Sequence, residues 1–363
     1  DVPDFFHDVA PYFAEHIRRE LFENFSESDV LNGGLKVYAS INLNFQNLAD
    51  DAISKGVKQV DKRQGYLGPV GHVKSSQAQT FLKKYVQSTL YEEPLAEEKA
   101  YLALVTKVDT KNKMVFVSVG NIKGVLPVSA MRWARKIRPE RLYTGDQLEE
   151  IKGIFEVGDI IWVKKTTAKQ ISKNSGSNKD FSHENENLFA LEQEPRVQGA
   201  LISIDPETNQ VVAMVGGYNF EESEFNRAFQ ACRQPGSAFK PVVYTSAVDS
   251  LNLTPSTILV DSPIIYDDPD NENRWKPENY ETKFRGDVPL RTAVMDSLNV
   301  PAIKVLQMVG IKVASSYAYQ LGIKRKLNQN LSLALGSSCV TLWELSQVYN
   351  ALDRFGKSSS PSF

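Results

Sequence analysis

The sequence predicts an α+β protein with a small β-barrel inserted into it. Three observations carry that expectation. Between residues 100 and 163, short β-rich runs separated by turn residues follow one another as they do in small barrels. After Pro195 one hairpin precedes a long stretch of helical patterning broken by Pro and Gly, without the βαβ alternation of a doubly wound sheet. The 363 residues leave room for two or three domains at roughly 150 residues each.

The elements follow in order. Residues 10–25 set Phe13, Ile17, Leu21 and Phe22 at helical spacing among charges, and Gly33-Gly34 closes that region. Residues 35–41 alternate well enough for a strand, and 44–60 return to helical spacing through Phe45, Leu48, Ala52, Ile53 and Val57. Gly65, Gly68, Pro69 and Gly71 make 61–72 irregular chain. Residues 101–108 and 113–119 form a hairpin about Asp109-Thr110-Lys111-Asn112, and 124–127 and 157–163 add further strands of an OB-like barrel. The polar run 171–187 reads as a flexible loop. A second hairpin pairs 200–204 with 211–215 and ends at Gly216-Gly217. The expected division is 1–97, 98–190 for the barrel, and 191–363.

Composition narrows the function classes. Lys plus Arg at 42 against Asp plus Glu at 44 gives a net charge of −2, so no global charge draws this chain to nucleic acid or a membrane surface. No apolar run approaches the ~18 residues of a membrane span, and the opening Asp1-Val2-Pro3-Asp4 is neither an export signal nor a Met start, so a processed or excised fragment of a longer protein is expected. Cys232 and Cys339 are too few for a disulfide framework and form no CxxC pair. His7, His16, His72 and His183 show no metal spacing, so no metal or cofactor is expected. Arg132, Arg135, Lys136, Arg138 and Arg141 cluster about Trp133. On an OB-like barrel that composition could serve nucleic acid, but a solvated face or a protein partner is the simpler reading, and no nucleic acid is expected.

Chemistry concentrates in Arg233-Gln234-Pro235-Gly236-Ser237-Ala238-Phe239-Lys240-Pro241. Pro235-Gly236 interrupts the chain and a helix can begin at Ser237. Residues three apart then share a face, bringing the Ser237 hydroxyl within reach of the Lys240 amine. A serine needs an adjacent base to become a nucleophile, and neutral lysine can be that base. Lowering a lysine from about 10.4 to about 7 costs roughly 4 to 5 kcal/mol at 1.36 per pK unit, which burial and a helix N-terminus supply together. The pattern S-x-x-K is weak alone, because a capped helix start with a solvated lysine also produces it. Ser297-Leu298-Asn299 is a second candidate. Pro301 soon after it implies a turn between helices that can present a hydroxyl and an amide to a cleft.

Taken together, the run from Arg233 to Pro241, the Ser297-Leu298-Asn299 loop, Trp275-Lys276-Pro277-Glu278-Asn279-Tyr280, and Ala334-Leu335-Gly336-Ser337-Ser338 followed by Val340-Thr341 resemble the transpeptidase domain of class A penicillin-binding proteins. Gly33-Gly34-Leu35-Lys36-Val37-Tyr38 is similar to the segment that enters this domain, and the OB-like insertion resembles the Gram-negative type with two activities. The resemblance implies a β-lactamase-like serine transpeptidase fold, an antiparallel sheet with helices. It implies peptidoglycan D,D-transpeptidation, with Ser237 attacking a D-Ala-D-Ala stem peptide, Lys240 as base, Ser297 as proton relay and Asn299 holding the substrate amide. It also implies covalent acylation of Ser237 by β-lactams, and a location at the periplasmic face of the inner membrane, anchored by an N-terminal segment not included here. Two departures stand out. The family's third motif, Lys-Thr/Ser-Gly, is absent, Lys357-Ser358-Ser359 being a poor substitute; the signature of the glycosyltransferase domain is absent as well. Both are expected in the parent protein.

Trp275 is a candidate substrate contact, with a packed loop as the bland alternative. Cys232 reads as a small buried residue, and a bond to Cys339 stays open. The barrel, which carries none of the matched catalytic motifs, is expected to recognise an envelope regulator. The rival functions are a serine β-lactamase or penicillin sensor, separated by the rate of deacylation, and a non-catalytic interaction module, separated by labelling with a fluorescent penicillin.

Overall fold

The computed structural model describes residues 9–97, 99–138, 147–175, 187–266 and 274–363. His7, Arg141, His183 and most of the loop expected over 171–187 lie outside them. Contacts divide the chain into two compact units, one of residues 55–198 and one of the rest. The barrel unit is therefore wider at both ends than the 98–190 expected from composition.

The chain enters the second unit through three helices, α1 (Pro11–Asn24), α2 (Glu27–Asn32) and α3 (Leu43–Gln64), the last of which crosses the division. Pro11 takes the first position of α1, where its missing N–H is no loss. Residues 35–41 are extended but form no strand. Leu35, Val37 and Tyr38 are 42 %, 49 % and 87 % exposed, and the bonds that hold the segment come from its end, Ser40 Oγ to Val211 O (2.7 Å) and Asn42 N to Val212 O (2.9 Å).

The barrel unit holds β1 (Gly71–His72), α4 (Ala78–Val86), β2 (Ala100–Asp109), β3 (Met114–Val119), β4 (Ile122–Pro127), β5 (Asp159–Thr166), α5 (Ala168–Ser175) and β6 (Asn187–Glu192). Five strands run in the order β5-β2-β3-β4-β6, and β6 returns to β5, so the sheet closes on itself. The closing seam between β4 and β6 is the one parallel pair among the described strands. Gly124 makes it possible: a Cβ there would stand 2.2 Å from the Asn187 carbonyl oxygen. Tyr101, Val105, Val117, Leu126, Ile161, Val163 and Phe189 point inward and fill the barrel with side chains. Helix α5 corrects the start of the expected loop, since Ile171 is buried and anchors it.

The other unit continues with the hairpin β7 (Leu201–Asp205) and β8 (Gln210–Val215), then β9 (Cys232–Arg233), α6 (Lys240–Ser250), β10 (Ile258–Asp261), β11 (Gly286–Pro289), α7 (Leu290–Met295), α8 (Asn299–Val309), α9 (Ile311–Gln320), β12 (Val340–Thr341) and α10 (Leu342–Asp353). Its strands form three two-stranded antiparallel ladders, β7-β8, β10-β11 and β9-β12. Helices α6 and α8 are apolar on most faces and lie in the centre of the core, with Val242, Val243 and Ala247 facing Ala302, Ile303 and Leu306 in one cluster. Helix α10 begins with a capping box in which the Thr341 hydroxyl accepts from Glu344 N (3.1 Å) and Glu344 accepts from Thr341 N (2.9 Å). Cys232 and Cys339, left open by the sequence, are joined by a disulfide beside the β9-β12 ladder, with Cα atoms 5.4 Å apart. Among the described residues no helix is long and apolar enough to cross a membrane.

Candidate active site

The Pro235-Gly236 break places residues 236–239 in a 3-10 turn that runs into α6, with Lys240 as the first residue of the α-helix. In a 3-10 turn side chains three apart eclipse, so Ser237 and Lys240 leave the backbone on one side. Their environments differ sharply. Ser237 is exposed, whereas Lys240 is 3 % exposed. Its ammonium donates to Ser297 O (2.6 Å), Ser297 Oγ (3.1 Å) and Asn299 Oδ1 (2.7 Å). Those three acceptors use all three donors of the group. The Ser237 hydroxyl, which the spacing puts within reach of Lys240, makes no hydrogen bond to the described residues; the three bonds of Nζ go to Ser297 O, Ser297 Oγ and Asn299 Oδ1. Burial pulls the Lys240 pKa down to about 8, the direction a base requires.

The loop that supplies these acceptors is built for it. Ser297 has φ +53°, a left-handed conformation that costs a non-glycine residue ~1 to 3 kcal/mol and is held by bonds from Ser297 N to Val294 O and from Leu298 N to Ala293 O. That reversal turns both oxygens of Ser297 toward Lys240. Asn299 has only one possible amide orientation: its Oδ1 accepts from Lys240 and its Nδ2 donates to the Glu278 carbonyl (2.9 Å).

Helix α8 starts at Asn299 with no cap from its own flank. Asn279 supplies one from outside. Its Oδ1 accepts from Asn299 N (2.8 Å) and Val300 N (3.3 Å), two of the amides that a helix start leaves open. Its Nδ2 donates to both oxygens of Asp261 (2.9 Å each) and to Lys283 O. Reading by residue type missed this residue and Asp261; the signal available was a short polar side chain inside an aromatic and proline-anchored loop. Trp275, the candidate substrate contact of that loop, stacks on Tyr266 (centroids 5.5 Å apart) and packs against the core.

Two further contacts fix the serine turn. Gly336, at φ +68°, lies so close that a Cβ would stand 2.1 Å from the Gly236 carbonyl oxygen, and its own carbonyl accepts from Gly236 N (3.3 Å). Tyr349 of α10 donates to Ala238 O (3.0 Å). The remaining candidates separate from this site. His16 is stacked on Phe229 in an aromatic cluster, and His72 bonds Asp159 in the barrel unit. Among the described residues no group of His, Cys, Asp and Glu is arranged to hold a metal ion. Of the basic cluster in the barrel unit, Arg135 is buried with Nη2 on Arg63 O (2.7 Å), which removes it from the exposed face; Lys136 is exposed and Arg132 and Arg138 are half-buried.

A family model for the penicillin-binding protein OB-like domain matches residues 66–197, and one for the penicillin-binding protein transpeptidase domain matches residues 199–363. Penicillin-binding protein 1A of Pseudomonas aeruginosa is 32 % identical over 355 residues, covering 97 % of this chain and 40 % of that protein. The protein of the same name from Rickettsia prowazekii is 30 % identical over 356 residues, covering 98 % and 40 %. The crystal structure of penicillin-binding protein 1A from Haemophilus influenzae superposes with a TM-score of 0.71 at 26 % identity, over 95 % of this chain and 46 % of that one. The chain spans 40 % of the length of these curated relatives.

Proposed function

The chain belongs to the class A penicillin-binding proteins, carrying their OB-like and transpeptidase domains in succession, and from that premise we propose that its 199–363 region cross-links peptidoglycan by D,D-transpeptidation. The single observation that carries the reading is the buried amine of Lys240, three residues from an exposed serine and bonded to both Ser297 and Asn299. In the proposed course the Ser237 oxygen attacks the carbonyl of the penultimate D-alanine while neutral Lys240 accepts the hydroxyl proton. The carbonyl oxygen gains charge beside the Ser237 N–H, at the start of a helical turn where backbone donors lack intrahelical partners. Collapse breaks the C–N bond. The leaving D-alanine nitrogen takes a proton from Lys240 through the Ser297 hydroxyl, which already lies 3.1 Å from Nζ. An amine of a second stem peptide then attacks the acyl-serine and restores the hydroxyl. Asn299 has one Nδ2 hydrogen beyond its bond to Glu278 O, and that hydrogen holds the substrate amide. β-Lactams enter the same sequence and stop at the acyl-serine.

The parent protein, by the same membership, is proposed to carry a glycosyltransferase domain and to work at the periplasmic face of the bacterial inner membrane. The barrel unit is proposed to bind an envelope regulator through the face bearing Lys136 and Arg138. Charge at such a rim acts chiefly on association rate and salt sensitivity. The test of the central reading is incubation of the parent protein with a stem-peptide donor and an amine acceptor. Cross-linked product with release of D-alanine supports it, while rapid hydrolysis of penicillin without cross-linking would make the protein a β-lactamase instead.

A further inference from the structure

Deep under the catalytic loop lies a carboxylate for which the transpeptidation sequence has no use. Asp261, at the end of β10, has no exposed surface. Burying a carboxylate is costly unless donors surround it. Its donors are Asn279 Nδ2, at 2.9 Å from both oxygens, and Arg285 N at 3.0 Å from Oδ2. Both donors lead to the Ser297-Leu298-Asn299 loop. Asn279 continues through its Oδ1 to the amides of Asn299 and Val300. Arg285 continues through its guanidinium to Asp296, the residue before Ser297. The loop thus hangs from one buried anion by two independent tethers.

The anion also sets the polarity of the tether. An asparagine side chain can present either its oxygen or its nitrogen to a neighbour, but a carboxylate accepts only. Facing Asp261 and the Lys283 carbonyl, both of which only accept, Asn279 turns Nδ2 inward, which leaves Oδ1 for the two amides of α8. With Asn299 N held, the Asn299 side chain keeps its oxygen on Lys240. Nothing else caps α8 from within its own flank.

We propose that Asp261 and Asn279 are positioning residues of the transpeptidase site, an acceptor-to-donor relay whose polarity fixes the Ser297-Leu298-Asn299 loop and, through Asn299 Oδ1, the amine of Lys240. This inference rests on the transpeptidase reading. It predicts an effect on the chemical step rather than on encounter with the antibiotic. Displacement of a catalytic group by about 1 Å costs up to ~100-fold in rate.

The experiment measures acylation of the parent protein by a fluorescent penicillin, separating the limiting rate constant from the apparent dissociation constant, in wild type, Asp261→Asn, Asn279→Ala, and the exchange Asp261→Asn with Asn279→Asp. Each single change should lower the limiting rate at least ~10-fold with less than ~3-fold change in the dissociation constant. The exchange swaps the donor and acceptor at the buried contact: the new carboxylate caps α8 while the new amide donates to it and still accepts from Arg285 N. It also leaves the Lys283 carbonyl facing a carboxylate oxygen where Asn279 Nδ2 had donated, so it should acylate faster than either single variant while staying below the wild-type rate. Single variants that melt cooperatively and acylate at the wild-type rate overturn the inference. So does an exchange no faster than the single changes, whether or not those fold, because complementarity would then not be what matters. A readout independent of acylation keeps the two readings apart: slow hydrogen exchange at the Asn299 and Val300 amides in wild type, lost in Asn279→Ala. Unlabelled wild-type protein with that exchange pattern would refute the transpeptidase reading and leave the relay standing.

Discussion

Acylation of this protein by penicillin should rise with pH and level off near pH 9, and the midpoint follows from the burial of Lys240. Desolvation disfavours the ammonium and lowers its pKa from 10.5 to about 8. At that value the amine is neutral in ~10 % of molecules at pH 7, ~50 % at pH 8 and ~90 % at pH 9, so the rate should climb about tenfold from pH 7 to its plateau. A lysine at its ordinary 10.5 would still gain tenfold for every pH unit through pH 9, with no plateau in range. The two cases part clearly in a stopped-time gel assay of fluorescent penicillin between pH 6 and pH 10. The three acceptors around Nζ favour the charged form and oppose the burial effect. Removing one of them by Asn299→Ala should therefore move the midpoint down while lowering the plateau. A flat profile, a rise that continues at constant slope through pH 9, or a midpoint that moves up in Asn299→Ala would refute the assignment of Lys240 as the base.

Other expectations can be checked in the same preparations. Ser237→Ala should abolish labelling and leave urea unfolding within about 0.5 kcal/mol of wild type, since the residue is exposed and makes no hydrogen bond to the described residues. Gly336→Ala should destabilise by roughly 1 to 3 kcal/mol and slow acylation, because a Cβ cannot share space with the Gly236 carbonyl and φ +68° disfavours any side chain; unchanged stability and rate would show that the two loops separate freely. Cys232→Ser should cost about 2 to 4 kcal/mol under oxidising conditions and nothing under reducing ones. Lys136→Ala with Arg138→Ala should slow association with an envelope partner and weaken its salt dependence while acylation is unchanged; a loss of acylation in that variant would tie the barrel face to catalysis.

Much of this molecule is legible in its sequence where local chemistry decides. The hairpin about Asp109 to Asn112, the helix at 10–25 and the turn before Pro301 each announce themselves by spacing or by turn residues, and each is there. Residues 35–41 failed because alternation states which face could be buried and not whether a partner strand lies alongside. Helix α5 was hidden by polar composition, since one buried side chain, Ile171, anchors it. At the site, Ser237, Lys240, Ser297 and Asn299 are named by the family resemblance that several motifs carry jointly, since S-x-x-K and S-x-N are each weak alone. The direction of the lysine is not given by it. Its choice of Ser297 and Asn299 over Ser237 depends on a reversed backbone at Ser297, and a left-handed serine leaves no mark in sequence. Asn279 and Asp261 were out of reach for the same reason. Each acts across 18 to 20 residues of chain through contacts that only the closed loop creates.

The most direct test of the central claim is peptide mapping of the penicillin-treated parent protein by mass spectrometry. One penicilloyl adduct is expected, on the peptide containing Ser237, absent from Ser237→Ala and formed at least ~100-fold more slowly in Lys240→Ala. An adduct on any other serine, or one that forms in Lys240→Ala at the wild-type rate, would contradict the claim.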